Sequence, residues 1–299
     1  MAKIADYLKN IFYLLIIVQL VPLLFMVIKK QYNNVMNPKT KVAVITIKGT
    51  VDNASQYTKH LQKYFKDKEI KALLLKIDSP GGTAGTAQTI FNEIKELKKE
   101  FPKPIVSLVE NSCASGAYYI ACATDTIIAP ASSFIGSIGV YITQPNFKEF
   151  IEQFKIHYSV TQSGMYKTVG DPLLAPTTEG QALLQELTHD TYQQFISDVA
   201  ECRHIPLQSN KEWADGKIFT GRQALGLKLI DKLGCFSTTE KIIKEKACIT
   251  TEIEWIKPSK PSPLTTLFGG DDQDGQSYLE TTLNTVYSWV TSKLDIAIV

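Results

Sequence analysis

The feature that most constrains this chain is a repeated handover, in which a short apolar run ends at a knot of small residues and a helical pattern begins. Lys71–Asp78, with Ala72, Leu73, Leu74, Leu75 and Ile77, stops at Ser79-Pro80-Gly81-Gly82, and helical spacing follows over Thr86–Glu100. Lys103–Val109 does the same: it runs into Asn111-Ser112-Cys113-Ala114-Ser115-Gly116-Ala117-Tyr118-Tyr119, and Ala117–Ala123 reads as a closely packed helix of small residues. Runs that are apolar throughout, rather than alternating, read as buried parallel strands. The expected fold class is therefore α/β, with Val42–Ile47 as a first strand, Gln56–Phe65 as an amphipathic helix and Thr126–Ala129 as a further short strand.

The second handover has a chemical implication. Ser115 falls near a helix N-terminus, where unpaired N–H groups favour developing negative charge. Acyl transfer needs a nucleophile and two N–H donors aimed at one oxyanion, and Gly82 with Gly116 would supply them from adjacent strand-to-helix loops. The two glycines of the first loop let the backbone turn tightly and approach a ligand. Alone, Pro-Gly-Gly is only a turn; its pairing with the serine loop gives it meaning.

Four motifs occur in order: Asp78-Ser79-Pro80-Gly81-Gly82, Ala114-Ser115-Gly116-Ala117-Tyr118-Tyr119, Gly136-Ser137-Ile138-Gly139-Val140 and Gly164-Met165-Tyr166-Lys167. Together they resemble the signal peptide peptidase A family of membrane-bound serine peptidases, over about Val42 to Gly234. The resemblance implies a ClpP/crotonase-like spiral of βαβ units, and a Ser-Lys dyad with Ser115 as nucleophile and Lys167 as general base. It also implies that Ser137 hydrogen-bonds and orients the lysine, although Ser137 reads equally as a turn serine. A ring-like homo-oligomer in which Ser115 and Lys167 come from neighbouring chains is a further implication.

The base has to satisfy its own chemistry. A free lysine titrates near about 10.4, so it accepts a proton at neutral pH only where burial or a neighbouring cation holds it neutral. Tyr158–Lys167 contains no acidic residue, and Met165 and Tyr166 flank the lysine with apolar surface. Without the resemblance, Lys167 reads as one more solvated lysine. Histidine is the other option, but none lies between Ser115 and His157, and His60, His157, His189 and His204 fall in no recognisable motif.

Ile11 to Ile28 is a run of 18 residues without a charge, and at about 1.5 Å per residue a helix of that length reaches about 27 Å, just enough to span a bilayer. The following Lys29-Lys30-Gln31-Tyr32-Asn33-Asn34 lacks the small-residue exit of a cleaved signal peptide, so the run reads as an uncleaved anchor. Lys3 and Lys9 precede it, offset by Asp6, and Lys29, Lys30, Lys39 and Lys41 follow. Positive-inside counting thus leans toward a cytoplasmic catalytic domain. The resemblance implies the opposite, a bacterial inner (cytoplasmic) membrane protein with its catalytic domain on the extracytoplasmic side, and that expectation is adopted here.

The expected organisation is residues 1–40 as tail, anchor and juxtamembrane segment, 41–257 as peptidase domain, and 258–299 as linker and C-terminal tail. Roughly 215 residues in the middle suffice for one α/β core. A net charge of +2 makes no case for nucleic-acid binding, and Lys95, Lys98 and Lys99 read as a solvated helix face. Cys113, Cys122, Cys202, Cys235 and Cys248 form no ligand cluster, so neither a metal, a cofactor nor a disulfide framework is expected. Cys113, two residues from Ser115, reads as a packed small residue. A long helix is expected from Thr177-Thr178-Glu179-Gly180 through Val199, as core or subunit contact. Ala214–Asp231 resembles the family's closing segment. Pro258 to Gly275 reads as a flexible linker, with one short helix over Tyr278–Leu294.

The leading functional expectation is a membrane-anchored endopeptidase whose substrates are remnant signal peptides or other membrane-associated peptides. A crotonase-type acyl-CoA enzyme would share the paired oxyanion loops, and a non-catalytic membrane scaffold would share the fold. The anchor and the dyad count against the former, and the intact dyad against the latter.

Overall fold

The computed structural model describes residues 36–258 continuously, preceded by Leu14, Val18, Val21, Pro22, Phe25, Lys29 and Tyr32. Most of the expected anchor over 11–28 therefore lies outside the described residues, as do the whole helix expected over Tyr278–Leu294 and nearly all of the linker. Among the described residues no helix is long and apolar enough to cross a membrane. The chain divides after Ile256 into two units, the second of which, 257–299, is described only at its first two residues.

The sheet has eight strands: β1 (Lys39–Val51), β2 (Ile70–Gly82), β3 (Ile105–Ala114), β4 (Thr126–Ala129), β5 (Phe134–Gly136), β6 (Ile218–Thr220), β7 (Lys232–Leu233) and β8 (Glu252–Ile256). Its main path runs β6-β5-β3-β2-β1-β8. Every pairing is parallel except that of β5 with β6. β3 is where the sheet divides: Val106–Leu108 pairs with β4, whereas Ser112–Ala114 pairs with β5. The helices are α1 (Ser55–Lys66), α2 (Ala84–Glu100), α3 (Gly116–Cys122), α4 (Lys148–Gln153), α5 (Thr178–Arg203), α6 (Asn210–Trp213), α7 (Gly221–Gly226) and α8 (Phe236–Lys246).

The continuous apolar runs are explained by burial on both faces. Side chains alternate across a strand. Ala43, Ile45, Ile47, Leu73, Leu75 and Ile77 accordingly enter a core shared with Leu61, Phe65, Ile90 and Phe91 of α1 and α2, while Val42, Val44, Ala72, Leu74, Val106 and Leu108 pack with Ile243 of α8. α3 is buried at all seven positions, as expected of a helix apolar all round.

Buried charge is paired. Arg203, at the end of α5, donates twice to the Asp231 carboxylate, at 2.9 and 3.0 Å, and Oδ2 of that carboxylate also accepts the Ile127 N–H at 2.6 Å. The Tyr118 hydroxyl donates to the Leu229 carbonyl at 2.7 Å. The closing segment is thus locked onto β4 and α3. The expected solvated face of α2 needs correction: Lys98 Nζ lies 2.6 Å from Asp125 Oδ1 and donates to the Ala123 carbonyl at 3.0 Å, and Lys95 pairs with Glu201 on α5. These lysines lie where α2 meets other elements, and their ammonium groups reach partners there. Lys99 stays exposed, and among the described residues it pairs only with Glu96.

Leu74→Ala should lower the unfolding free energy by about 2–5 kcal/mol through the cavity it leaves between β2 and α8. Leu187→Ala, on the half-exposed part of α5, should stay within about 0.5 kcal/mol of the parent. Urea unfolding of both variants checks this, and an equal loss at the two positions would contradict the two-faced core.

Candidate active site

The site forms where the C-terminal ends of β2 and β3 lie side by side. Sheet pairing does not stop at Asp78, as the sequence pattern suggests. It continues through Thr50 with Gly81 and Val51 with Gly82, after a bulge in which β2 takes an extra residue between Asp78 and Gly81. Pro80, which has no N–H, sits inside that bulge.

Ser115 follows β3 at φ 52°, ψ −126°, a conformation that costs about 1–3 kcal/mol for a residue with a side chain. Its N–H donates to the Gly136 carbonyl of β5 at 2.7 Å, and its carbonyl accepts from the Tyr119 N–H at 3.0 Å, starting α3. The Ser115 hydroxyl makes no hydrogen bond among the described residues, and the side chain is half-buried. The first loop presses against it. A Cβ on Gly81, at φ +105°, would lie 2.8 Å from the Ala114 carbonyl oxygen, the Gly116 nitrogen and the Ser115 Cβ. One on Gly82 would lie 1.9 Å from the Val51 carbonyl oxygen, and one on Gly116 would lie 3.3 Å from the Gly82 nitrogen. Only glycine permits so close an approach of backbones. The Gly116 N–H opens α3 and has no acceptor in a preceding helical turn. Gly82 and Gly116 are thereby brought together.

Ser137 directly follows the Gly136 carbonyl that holds Ser115. It too has positive φ, 49°, and its N–H donates to the Lys217 carbonyl at 2.7 Å. Lys167 lies in the turn after Gly164, whose carbonyl accepts the Lys167 N–H at 3.1 Å. Its side chain is exposed, and among the described residues its ammonium makes no hydrogen bond or ion pair, with Ser115 or any other group. The apolar flanks expected to shield it, Met165 and Tyr166, are themselves exposed. They sit on an arm, residues 141–166, that also exposes Tyr141, Ile142, Phe150, Phe154 and Ile156. A cavity of about 590 Å³, lined in part by Tyr158, Met165, Thr168 and Leu174, borders that turn. A larger one of about 700 Å³ beside Arg203 and Asp231 contains none of the site residues.

His157, His189 and His204 are exposed, and His60 stacks on Tyr64 of α1. Cys113 is wholly buried, and burial pushes its thiol well above its ordinary range, which suits packing rather than nucleophilic attack. Sequence reasoning gave Gly81 the freedom to turn and to approach a ligand but not its contact with Ser115, which depends on the bulge. It also passed over Ser79, which is fully buried with its hydroxyl between Gly49 and Gly81, and over Tyr119, which packs tilted against Phe91, stacks on Phe195 and donates its hydroxyl to Asp198 of α5. Burial, and then the Asp198 carboxylate, raise the Tyr119 phenol, so it stays a donor. Ser79 and Tyr119 stand inside the motifs already noted, but nothing in one sequence marks which motif residues bond to distant elements.

Residues 97–250 match the profile of peptidase family S49. The chain is 37% identical over 247 residues to a putative protease of Synechocystis, covering 79% of this chain and 85% of that protein. It is 32% identical to a putative signal peptide peptidase SppA of Enterococcus faecium, over 68% of this chain and 59% of that one. To the chloroplastic serine protease SPPA of Arabidopsis thaliana it is 30% identical, over 72% of this chain but only 32% of that longer protein. Among solved structures, a mutant of the 1510-N membrane-bound stomatin-specific protease aligns with 74% of this chain and 99% of its own, at a TM-score of 0.47 and 18% identity.

Gly81→Ala should destabilise the fold by about 1–3 kcal/mol, since the added methyl meets backbone atoms at a positive φ. Gly85→Ala, in α2 with nothing within 4 Å of an added Cβ, should be neutral or stabilising by up to about 1 kcal/mol. Denaturant midpoints of the two variants distinguish a packed glycine from a merely helical one.

Proposed function

This chain belongs to peptidase family S49, a family of serine proteases, and from that premise we propose that it is a membrane-anchored endopeptidase acting through a Ser115–Lys167 dyad. The observation that carries the reading is the strained Ser115 elbow, its hydroxyl unpartnered among the described residues, set against the Gly82 and Gly116 backbone. In this reading the sheet and its helices are the ClpP/crotonase-like spiral, with residues 1–40 as anchor and 41–257 as peptidase domain. The chain sits in the bacterial inner membrane with its catalytic domain on the extracytoplasmic side, and residues 258–299 form a linker and tail. Remnant signal peptides and other membrane-associated peptides are the proposed substrates.

The chemistry follows from the parts. Ser115 Oγ attacks the scissile carbonyl carbon while its proton passes to the neutral Lys167 amine. The carbonyl π pair moves onto oxygen, where the Gly82 and Gly116 N–H groups hold the anion. Collapse of the tetrahedral species expels the amine, which takes the proton from the Lys167 ammonium and leaves an acyl-serine. Water, deprotonated by the same lysine, attacks the ester and releases the acid. Ser137 accepts from or donates to Lys167 and orients it. No step calls for a metal or a cofactor.

A single chain leaves Lys167 exposed and without a bond to Ser115 among the described residues, whereas the proposed chemistry needs the lysine desolvated beside that serine. The proposed remedy is a ring of identical chains, in which the apolar arm of one chain packs on its neighbour and delivers Lys167, desolvated, to the neighbour's Ser115. The uncovered Tyr141, Phe150, Phe154 and Met165 support this reading.

Ser115→Ala and Lys167→Ala should each abolish peptide hydrolysis with folding intact. Lys167→Arg should lose about 10²- to 10⁴-fold, because a guanidinium cannot accept a proton. Co-expression of Ser115→Ala with Lys167→Ala should restore up to about a quarter of parental turnover, since a ring of mixed chains joins an intact serine to an intact lysine at about that share of its interfaces. Activity measurements on the co-purified ring check this. No recovery would place both groups in one chain, and near-normal activity of Lys167→Arg would remove the lysine as base.

A further inference from the structure

Ser79 is fully buried, and its hydroxyl is used in both directions: it donates to the Gly49 carbonyl at 2.6 Å and accepts the Gly81 N–H at 3.1 Å. Both partners are special. Gly49, at φ +70°, stands opposite the bulge, where β1 advances by two residues while β2 advances by three. Gly81 is the first residue after that bulge and the one on which an added Cβ would lie 2.8 Å from the Ser115 elbow. Pro80 brings no N–H to the bulge. The Ser79 hydroxyl thus ties a carbonyl of β1 to an N–H of β2 at the point where their register shifts. Asp78 adds a second tie, its Oδ1 accepting the N–H and hydroxyl of Ser112 on β3 at 3.3 Å each.

From this we infer that Ser79 is a positioning residue for the oxyanion site, setting where Gly82 points by fixing the bulge that precedes it. The inference rests on the serine-peptidase reading given above. Ser79 touches neither substrate nor Ser115 and acts through the Gly81 peptide. Its alternative role is purely structural, as a satisfied buried hydroxyl. The two roles differ in what they change. A structural role alters how many molecules are folded, whereas a positioning role alters the rate at each folded site.

The test uses the full-length protein in detergent. Sites are counted by fluorophosphonate labelling driven to completion, and kcat and KM are measured on a peptide substrate. For Ser79→Ala, kcat per labelled site should fall about 10- to 10²-fold with KM within about twofold of the parent, because a donor displaced by a fraction of its bond length loses most of its use in the transition state. Ser79→Cys, nearly the same size with a weaker donor and acceptor, should fall between the two. It also covers the case in which the alanine variant does not accumulate. A parental kcat per labelled site in Ser79→Cys and Ser79→Ala, with only fewer sites or a lower melting temperature, overturns the inference and leaves the peptidase reading standing. Failure of the parent to label at Ser115 overturns the peptidase reading, and this inference falls with it.

Discussion

Two backbones touch where side chains would normally keep them apart, and the rest of the site depends on that contact. The loop ending β2 and the elbow ending β3 meet so closely that a methyl on Gly81 would collide with main-chain atoms of the elbow, and one on Gly82 with those of Val51 in β1. The contact brings the Gly82 and Gly116 peptides together beside a serine held at positive φ. A strained elbow persists only where its surroundings over-determine it. Here Gly136 holds the Ser115 N–H from β5, α3 begins on the Ser115 carbonyl, and the bulge in β2 closes the third side.

The surrounding architecture stiffens this contact. A parallel sheet buried on both faces leaves little freedom to the strands that carry the loops. α3 is buried on all sides, and its Tyr118 and Tyr119 reach out to Leu229 and Asp198. Arg203 and Asp231 then fasten the far end of α5 to β4. α3, which follows Ser115, is therefore tied both to α5 and to the closing segment. The arm itself has none of this support. Between β5 and α5 the chain forms one short helix, α4, which has no buried residue, and Lys167 lies in an open turn. The contrast suits a division of labour in the proposed enzyme, with serine and oxyanion donors preorganised within each chain and the base delivered by assembly.

Much of the strand and helix order was legible in the sequence, because burial on both faces writes itself as an unbroken apolar run and burial on one helix face as a period near four. β4 was read from Thr126 to Ala129, where it lies, and α5 was read with its start at Thr177, whose side chain caps the helix by accepting the Gly180 N–H. Lys98 was misread, since a lysine that reaches Asp125 from a helix surface has the same local pattern as one that reaches water. The end of β2 was read one motif too early, because a strand carrying a bulge and a proline looks like a strand that has stopped.

What the sequence by itself determined is what depends on neighbours along the chain: the first four strands, the helices α1, α2, α3 and α5, and the two small-residue loops with Ser115 in one and Gly82 in the other. Tertiary structure alone decided that those loops touch, that Gly81 is the residue wedged against the elbow, that Ser79 bridges β1 to β2, and that Lys167 stands uncovered in a single chain. The physical reason is the range of the forces involved. Propensity and hydrophobic period act over a few residues and leave a trace in spacing, whereas a backbone contact or a bridging hydrogen bond joins positions about 30 residues apart, such as Gly49 and Ser79, whose types are common and whose partners are chosen only once the sheet has formed.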